Sequence, residues 1–396
     1  MKLHRFGPTV AIAMAASLVL TACGDDNPAA DNETTPDSNA AQESDTGTDA
    51  DADTGTDTES ADADAAGGEL SGTLAGAGAS SQDSAMAAWV AGYNADVEPG
   101  VTVNYDGVGS GAGREQFIAG AVQFAGSDAA LDDEERAAVT NVCGDGGAMN
   151  LPVYISPVAI PFNLDGVTEL NLSPAVLAQI FDQQITTWND PAIAADNPDA
   201  ELPEQDITVV NRSDDSGTTE NFMEYLSAAA PDAWSYEADK AWPVSGGEAA
   251  AQTSGVIQVV GATTGAIGYA DASAVGQLST AKIGVGEEFV AFSPEAAAKV
   301  VDASEPVDTG IEGDLALELA RDTTESGAYP IVLVSYHLVC KDYADAAQAD
   351  LVKSFVGYVI SEEGQAASAD AAGSAPISAD LRTKAEESLA SINAGK

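Results

Sequence analysis

Residues 68–396 alternate between short runs of β-forming residues and helical stretches, with Gly or Pro at nearly every junction. This alternation is typical of an α/β architecture with mostly parallel strand pairing, and the segment is long enough for two domains. The predicted strands are Val101–Tyr105, Val153–Phe162, Ile207–Val210, Gly265–Tyr269 and Ile331–Leu338. The predicted helices are Ala85–Tyr93, Ala175–Phe181, Thr219–Ala229 and Ala344–Ile360.

Three strand-to-helix junctions combine a glycine-bearing turn with hydroxyl side chains, at residues 76–81, 107–113 and 211–219. The start of a helix offers unpaired N–H groups and the positive end of the helix dipole, and glycine lets the backbone approach a ligand closely. A single Ser or Thr at such a place is otherwise an ordinary helix N-cap. Three converging junctions would instead surround a small tetrahedral oxyanion.

Two charged residues refine this hypothesis. Arg212, one of six arginines, lies in the third junction, and its planar guanidinium suits an oxyanion; the alternative is a surface ion pair with Asp214 or Asp215. Asp128 follows a short apolar run and a glycine, where the alternative is a helix N-cap. A carboxylate beside an anion is favourable when the anion carries a proton for it to accept. Protonated phosphate meets that condition, whereas sulfate, fully ionised near neutral pH, does not.

The composition argues against several other functions. The formal net charge is −50, which opposes nucleic-acid binding, and no G-x-x-x-x-G-K-[ST] nucleotide loop is present. Beyond His4 near the N-terminus, the chain has only His337, in a predicted strand, and it has no G-x-S-x-G motif or cluster with metal-ligand spacing. We therefore expect no catalytic residues, metal or cofactor, and rank a secreted phosphatase below an anion-binding protein.

The N-terminus has the pattern of a lipoprotein signal. Lys2 and Arg5 precede an apolar run over residues 9–20, which is too short for a membrane-spanning helix and leads into Leu-Thr-Ala-Cys23. We expect cleavage after residue 22 and acylation, including palmitate, of Cys23, which anchors the chain to the membrane. The alternative is a plain signal peptide that happens to contain a cysteine.

Residues 24–67 have a composition typical of a disordered tether. They contain 14 Asp and Glu, no Lys or Arg, and no aromatic residue. The remaining cysteines, Cys143 and Cys340, are an even pair in an exported chain and so suggest one disulfide. Two buried free thiols are the alternative.

Several motifs are shared with a known family. The chain resembles the phosphate-binding lipoproteins of the high-affinity phosphate ABC transporter from about Leu70 to the C-terminal helices. The motifs that carry the resemblance are Gly76-Ala77-Gly78-Ala79-Ser80, Asn104-Tyr105-Asp106-Gly107-Val108-Gly109-Ser110, Phe124-Ala125-Gly126-Ser127-Asp128, Arg212-Ser213-Asp214-Asp215-Ser216-Gly217-Thr218, Gly265-Ala266-Ile267-Gly268-Tyr269 and Ile185-Thr186-Thr187-Trp188-Asn189-Asp190-Pro191-Ala192-Ile193.

The resemblance implies a phosphate site in which Asp128 accepts the phosphate proton and Asp214 steers Arg212. The implied phosphate contacts are Ser80, the N–H of Ser81, Ser110, Asp128, Arg212, Ser216, the N–H of Gly217, and Thr218. Some family members have an aromatic residue where this chain has Ser81, but a contact through the backbone N–H is independent of the side chain. Phosphonate, sulfate and molybdate are the alternative oxyanions, and Asp128 argues against sulfate.

The resemblance also implies an architecture and partners. The family fold is a two-lobed periplasmic-binding-protein fold of the Venus-flytrap kind, in which the chain crosses twice between lobes, here near residues 156–160 and 329–332. Lobe I would comprise residues 68–156 and 329–396, and lobe II residues 157–328, so that Cys143 and Cys340 lie in one lobe. The implied partners are inorganic phosphate and the permease of an ABC importer on the extracytoplasmic face of the cell membrane. A surface adhesion or sensory role is a further alternative that a lipid anchor and tether would also permit.

Overall fold

The computed structural model describes residues 70–394. Its strands are β1 Gly72–Gly78, β2 Val101–Asp106, β3 Phe124–Ser127, β4 Ala148–Ala159, β5 Pro161–Asn163, β6 Asn171–Leu172, β7 Thr208–Arg212, β8 Glu248–Ala250, β9 Ala266–Gly268, β10 Ala270–Asp271, β11 Ser279–Thr280, β12 Lys282–Val285, β13 Glu288–Val290, β14 Glu305–Pro306, β15 Leu317–Glu318, β16 Val332–Cys340, β17 Asp342–Tyr343 and β18 Asn393–Ala394. Its α-helices are α1 Asp83–Asp96, α2 Ser110–Ile118, α3 Asp133–Cys143, α4 Pro174–Phe181, α5 Pro191–Asp196, α6 Gly217–Ala229, α7 Gln252–Ala262, α8 Pro294–Asp302, α9 Ala346–Ile360, α10 Glu362–Ala372 and α11 Ala379–Ala390.

The two largest sheets confirm the α/β prediction but not the prediction of mostly parallel pairing. The six-stranded sheet has the order β10-β4-β16-β3-β1-β2, and the five-stranded sheet has the order β11-β5-β9-β7-β8. β1 pairs in parallel with β2 and β3, and β7 with β8 and β9. The remaining pairs of both sheets are antiparallel. The sheets are therefore mixed, because strands distant in sequence add to each parallel set in the opposite direction.

β4 and β16 form the long central pair of the six-stranded sheet. Every residue of both strands is buried, as expected of strands covered on two faces. The single strand predicted over residues 153–162 is wrong in extent. β4 begins earlier, at Ala148, and ends at Ala159; after Ile160 the chain starts β5 in the other sheet.

The cysteines of α3 and β16 meet at one end of the six-stranded sheet. Cys143 and Cys340 form a disulfide across a sequence separation of 197 residues, with their Cα atoms 4.9 Å apart. Both residues are buried, at 0% and 2% exposure. The bond therefore ties a helix between β3 and β4 to the end of β16.

The predicted signal peptide, Cys23 and the acidic tether lie outside the described residues. None of the helices within residues 70–394 is long and apolar enough to cross a membrane.

Candidate functional site

The three junctions predicted from the sequence are all strand-to-helix turns in the structure. β1 leads through a short 3₁₀ turn, Ser80–Gln82, into α1; β2 leads into α2; and β7 leads into α6. The first two junctions belong to the six-stranded sheet and the third to the five-stranded sheet. Side chains from all three junctions meet in one buried cluster around Asp128 and Arg212.

Asp128 lies at the centre of this cluster, directly after β3. Its Oδ1 accepts hydrogen bonds from the hydroxyls of Ser81 (2.6 Å) and Ser335 (2.7 Å), and its Oδ2 accepts one from Thr218 (2.9 Å). The side chain is buried, with 3% exposure. The alternative of a helix N-cap is wrong for Asp128, because Asp132 caps α3 in a capping box with Glu135.

Arg212 supplies the positive charge of the cluster at the end of β7. Its Nε donates to Asp214 Oδ1 (2.8 Å), its Nη2 donates to Asp214 Oδ2, and Nη2 also reaches Ser80 Oγ at 3.4 Å. Burial raises the pKa of Asp214, but the hydrogen bonds and charge of Arg212 outweigh it and hold that pKa below its usual value. The alternative, a surface ion pair with Asp214 or Asp215, is correct in that Arg212 pairs with Asp214. The pair is not on the surface, because Arg212 is only 4% exposed.

The hydroxyls of Ser110 and Ser216, each at the start of a helix, accept hydrogen bonds from backbone N–H groups. Ser110 Oγ accepts from the N–H of Asp128 (3.1 Å), so it fixes the turn that carries the carboxylate. Ser216 is the N-cap of α6, and its Oγ accepts from the N–H of Thr219 (3.2 Å). The ordinary N-cap interpretation therefore applies to Ser216, while its position still borders the cluster.

Glycine is required at Gly217 because the walls of the site are so close there. A Cβ at this position would lie 2.6 Å from Ser110 Oγ and 2.8 Å from the Cβ of Asp128. Gly109 has φ +99°, and its Cβ would lie 2.6 Å from an oxygen of Asp214. Both glycines allow a backbone from one sheet to approach side chains at the edge of the other.

Two acidic side chains stand close to the first and second junctions. Burial, and after it the neighbouring charge of Asp106, raises the pKa of Asp83 to about 6. A Cβ on Gly107 would lie 2.2 Å from Asp83 Oδ1, which shows how closely the turn packs on that carboxyl. Arg212 and the helix N-termini therefore supply positive potential beside these two carboxyl groups.

Sequence reasoning missed several residues that complete the cluster: Gln82, Asn221, Thr253 and Ser335. The N–H of Thr253 at the start of α7 donates to Ser80 Oγ (3.2 Å), and the preceding Gln252 N–H donates to Asp214 (2.9 Å). Gln252 has φ +61°, which is unusual for a residue other than glycine. β8 followed by α7 is a fourth strand-to-helix junction, but its turn has no glycine and therefore gave no sequence signal.

Ion pairs surround the cluster, and one of them joins helices that belong to different sheets. Arg114 on α2 contacts Glu220 on α6 (3.2 Å) and Glu135 on α3 (3.1 Å), and Lys240 also contacts Glu135 (3.4 Å). Together with the Ser80–Thr253 and Asp128–Thr218 contacts, they close the space between the sheets. Within residues 70–394, no group of three or more His, Cys, Asp or Glu side chains is placed to hold a metal ion.

Comparison with known proteins assigns this architecture to a family. A family model described as a PBP superfamily domain matches residues 60–363. Phosphate-binding protein PstS 3 of Mycobacterium tuberculosis is 37% identical over 362 residues, which cover 90% of this chain and 90% of that protein. The chain belongs to the PstS family within the PBP superfamily. PstS 2 of the same organism is 34% identical over 405 residues, covering 99% of this chain and 100% of that protein.

A solved structure supports the same fold for this member of the PstS family. The high-affinity periplasmic phosphate-binding protein PfluDING, solved with phosphate bound, matches with a TM-score of 0.65 at 22% identity. The match covers 80% of this chain and 93% of PfluDING. The fold is therefore the two-lobed periplasmic-binding-protein fold that the sequence resemblance implied.

Proposed function

We propose that this protein captures inorganic phosphate in the cleft between its lobes and delivers it to an ABC importer. The observation that carries the proposal is the pairing of Asp128, a buried carboxylate that accepts hydrogen bonds, with the buried guanidinium of Arg212 in one cluster of hydroxyls and helix N-termini. The guanidinium balances the charge of the anion, and the carboxylate accepts the proton that phosphate carries and sulfate lacks.

Each residue of the cluster has a specific role in this proposal. Arg212 donates to the phosphate while Asp214 holds the guanidinium plane. Backbone N–H groups of Ser81 and Gly217 bind at the helix starts, as anions commonly do. Direct contacts come from the hydroxyls of the remaining residues: Ser80, Ser110, Ser216 and Thr218. Their support is proximity, because Ser80 contacts Arg212, Ser110 contacts Asp128, and Thr218 contacts Asp128.

Calorimetric titration of the purified protein with phosphate and then with sulfate tests the proposal. We expect phosphate binding at micromolar or tighter Kd and at least a hundredfold weaker sulfate binding, since an unpaired polar group in a buried site is costly. Comparable affinities for the two anions would rule out the role given to Asp128. A phosphonate in the same series shows whether a second proton-bearing oxyanion is also accepted.

A secreted phosphatase is the second candidate function, and the surroundings of His337 oppose it. His337 is fully buried among Trp89, Phe124 and Phe355, and burial lowers its pKa to about 3. Its ring therefore stays neutral and does not reach a serine of the cluster as a general base. An activity that hydrolyses p-nitrophenyl phosphate, co-purifies with the protein and is absent from Ser80→Ala would show that the protein is a phosphatase after all.

Lobe boundaries and permease docking also belong to the proposal. We assign residues 68–156 and 329–396 to lobe I and 157–328 to lobe II, since β4 ends at Ala159 and the next long strand of the six-stranded sheet, β16, begins at Val332. Between them, the two-residue β10 at Ala270–Asp271 pairs with the end of β4. Closure of the lobes around phosphate would form the surface that the permease recognises. Phosphate-dependent cross-linking of the protein to the permease in membranes is the corresponding test.

We further propose that Cys23 carries the lipid anchor and that the protein works on the extracytoplasmic face of the cell membrane. The support is the cysteine at the end of a signal-like segment, followed by an acidic spacer. Metabolic labelling with palmitate should mark the wild-type protein. Cys23→Ser should abolish the label and release the protein from the membrane fraction, and retention of the label would refute the assignment.

A further inference from the structure

A line of buried polar side chains runs from the aromatic core of the six-stranded sheet to Asp128. His337 Nε2 lies 3.2 Å from Gln82 Oε1, Gln82 Nε2 donates to Ser335 Oγ at 2.6 Å, and Ser335 Oγ donates to Asp128 Oδ1 at 2.7 Å. Gln82, Ser335 and His337 are all at 0% exposure. A register shift in the β4–β16 pairing, between Ser335 and Tyr336, occurs at this point. Such irregularities often re-aim a side chain beside a binding site.

The donors and acceptors along this line of side chains can be assigned, and all the hydrogen bonds run towards Asp128 from Gln82. The carboxylate of Asp128 only accepts, so Ser335 Oγ donates to it and accepts from Gln82 Nε2, which also faces the carbonyl oxygen of Tyr336 at 3.4 Å. Gln82 Oε1 therefore faces His337, whose neutral ring must carry its proton on Nε2. Since Ser335 Oγ already accepts from Gln82, its only proton points to Asp128.

The consequence for Asp128 follows from counting acceptor positions. A carboxylate oxygen accepts about two hydrogen bonds, so Ser81 and Ser335 together fill Oδ1, and Thr218 leaves one position on Oδ2. All three hydroxyls must donate to this carboxylate, because its oxygens only accept. The carboxylate therefore stays an acceptor, with one position for an O–H of the ligand.

We propose that Gln82 and Ser335 are positioning residues that keep Asp128 an acceptor and so make the site select anions that carry a proton. This inference rests on the proposed function and extends it, because neither residue is among the phosphate contacts that the sequence resemblance implied. Without the Ser335 donor, one acceptor position of Oδ1 is unfilled and the carboxyl group is held by fewer contacts, so the acceptor that reads the proton of the ligand is less strictly oriented. Discrimination between the two anions then weakens.

Charged and titratable groups on every neighbouring element also act on Asp128 and must stay constant in the test. Arg212 favours its negative charge, whereas Asp83 and Asp271, whose pKa values burial raises to about 6, oppose it when ionised. Further groups packed around it are Tyr105 on β2, Arg114 on α2, Glu220 and Glu224 on α6, and Arg321. Comparing variants that retain all of these groups isolates the contribution of Ser335.

The experiment measures the Kd of phosphate and of sulfate by calorimetry from acid to neutral pH for wild-type protein, Ser335→Ala and Gln82→Met. Ser335→Ala should weaken phosphate about tenfold at neutral pH, as expected for one hydrogen bond to a charged group. The preference for phosphate over sulfate should fall by about the same factor, which shifts its pH profile downward. Gln82→Met should cause a smaller shift in the same direction, since the Ser335 hydroxyl remains but is free to turn.

Ser368→Ala is the matched control, because Ser368 is also a buried serine, 1% exposed, bonded to Ser374 within the C-terminal helices. It should leave both affinities and the pH profile unchanged. Equal losses of phosphate and sulfate affinity with an unshifted profile in Ser335→Ala would show that the residue only fills space. If circular dichroism shows that Ser335→Ala is unfolded, Gln82→Met provides the decisive profile. Wild-type protein that binds no phosphate would refute the proposed function instead.

Discussion

The buried guanidinium of Arg212 should contribute more to phosphate affinity than any other side chain of the site. Among the described residues, its hydrogen bonds engage Nε and Nη2, which leaves the two hydrogens of Nη1 for an anion. Each charge-assisted hydrogen bond contributes about 1.5–3 kcal/mol. Arg212→Ala should therefore cost about 3–6 kcal/mol, or roughly a hundredfold to ten-thousandfold in Kd.

The loss of Arg212 should also leave Asp214 as an uncompensated negative charge beside the ligand. Arg212→Lys keeps the charge but loses the planar fork that contacts Asp214 and the anion together, so its Kd should lie between those of wild type and Arg212→Ala. Asp214→Asn should weaken binding less than Arg212→Ala, because the guanidinium remains but is held by fewer contacts. The order of these Kd values separates the contribution of the positive charge from that of the planar guanidinium geometry.

Isothermal titration calorimetry with phosphate, at fixed pH and salt, measures all of these constants. Arg382→Ala is the matched control, since Arg382 is likewise an arginine paired with a carboxylate, Glu362, but lies on the C-terminal helices. It should bind phosphate as wild type does. An Arg212→Ala protein with a Kd within about threefold of wild type, or one equal to Arg382→Ala, would refute the assignment of Arg212 to the anion site.

Three further perturbations test other parts of the structure. Gly217→Ala places a Cβ 2.6 Å from Ser110 Oγ, so it should obstruct closure and weaken phosphate binding at least tenfold by calorimetry; unchanged binding would mean that the closed contact is dispensable. Cys143→Ala combined with Cys340→Ala opens a loop of 197 residues and should lower the free energy of unfolding by about 2–5 kcal/mol in denaturant titrations; equal stability would show that the bond contributes nothing. Burial raises the pKa of Asp271 from 3.8 to about 6, so the folded state binds the extra proton and stability should fall by on the order of 3 kcal/mol as pH rises from about 4 to about 6. Asp271→Asn should abolish that slope in denaturant titrations at several pH values, and an unchanged slope would place the titration elsewhere.

Much of the site was predictable because its parts are local. A strand, a glycine-bearing turn, a hydroxyl and a helix start are properties of contiguous residues, so the junctions at Ser80, Ser110 and Gly217 follow from short segments of sequence. Asp214 is two residues from Arg212, close enough in sequence to suggest the ion pair that the structure contains. The turn before α7 also brings a helix start to the cluster, but it contains no glycine. For that reason the sequence did not indicate Thr253 as part of the site.

The direction of strand pairing was not local and was predicted wrongly. Alternation of strands and helices suggested parallel neighbours, which holds for β1 with β2 and for β7 with β9. β16 instead enters the six-stranded sheet from the far end of the chain and pairs antiparallel with β3 and β4. Which strand becomes a neighbour depends on the packing of the whole domain, and the hydrophobic pattern of a fully buried strand is the same for either direction.

The sequence by itself therefore determined the α/β class, the family, and the chemistry at each helix start, because these depend on residue type and short-range spacing. Only the tertiary structure decided the surroundings of Asp128. Ser335 reaches it from 207 positions away, and His337 reaches Gln82 from 255 positions away. Such contacts arise from strand order and register, and they determine whether a buried carboxylate acts as a cap, a proton donor or an acceptor.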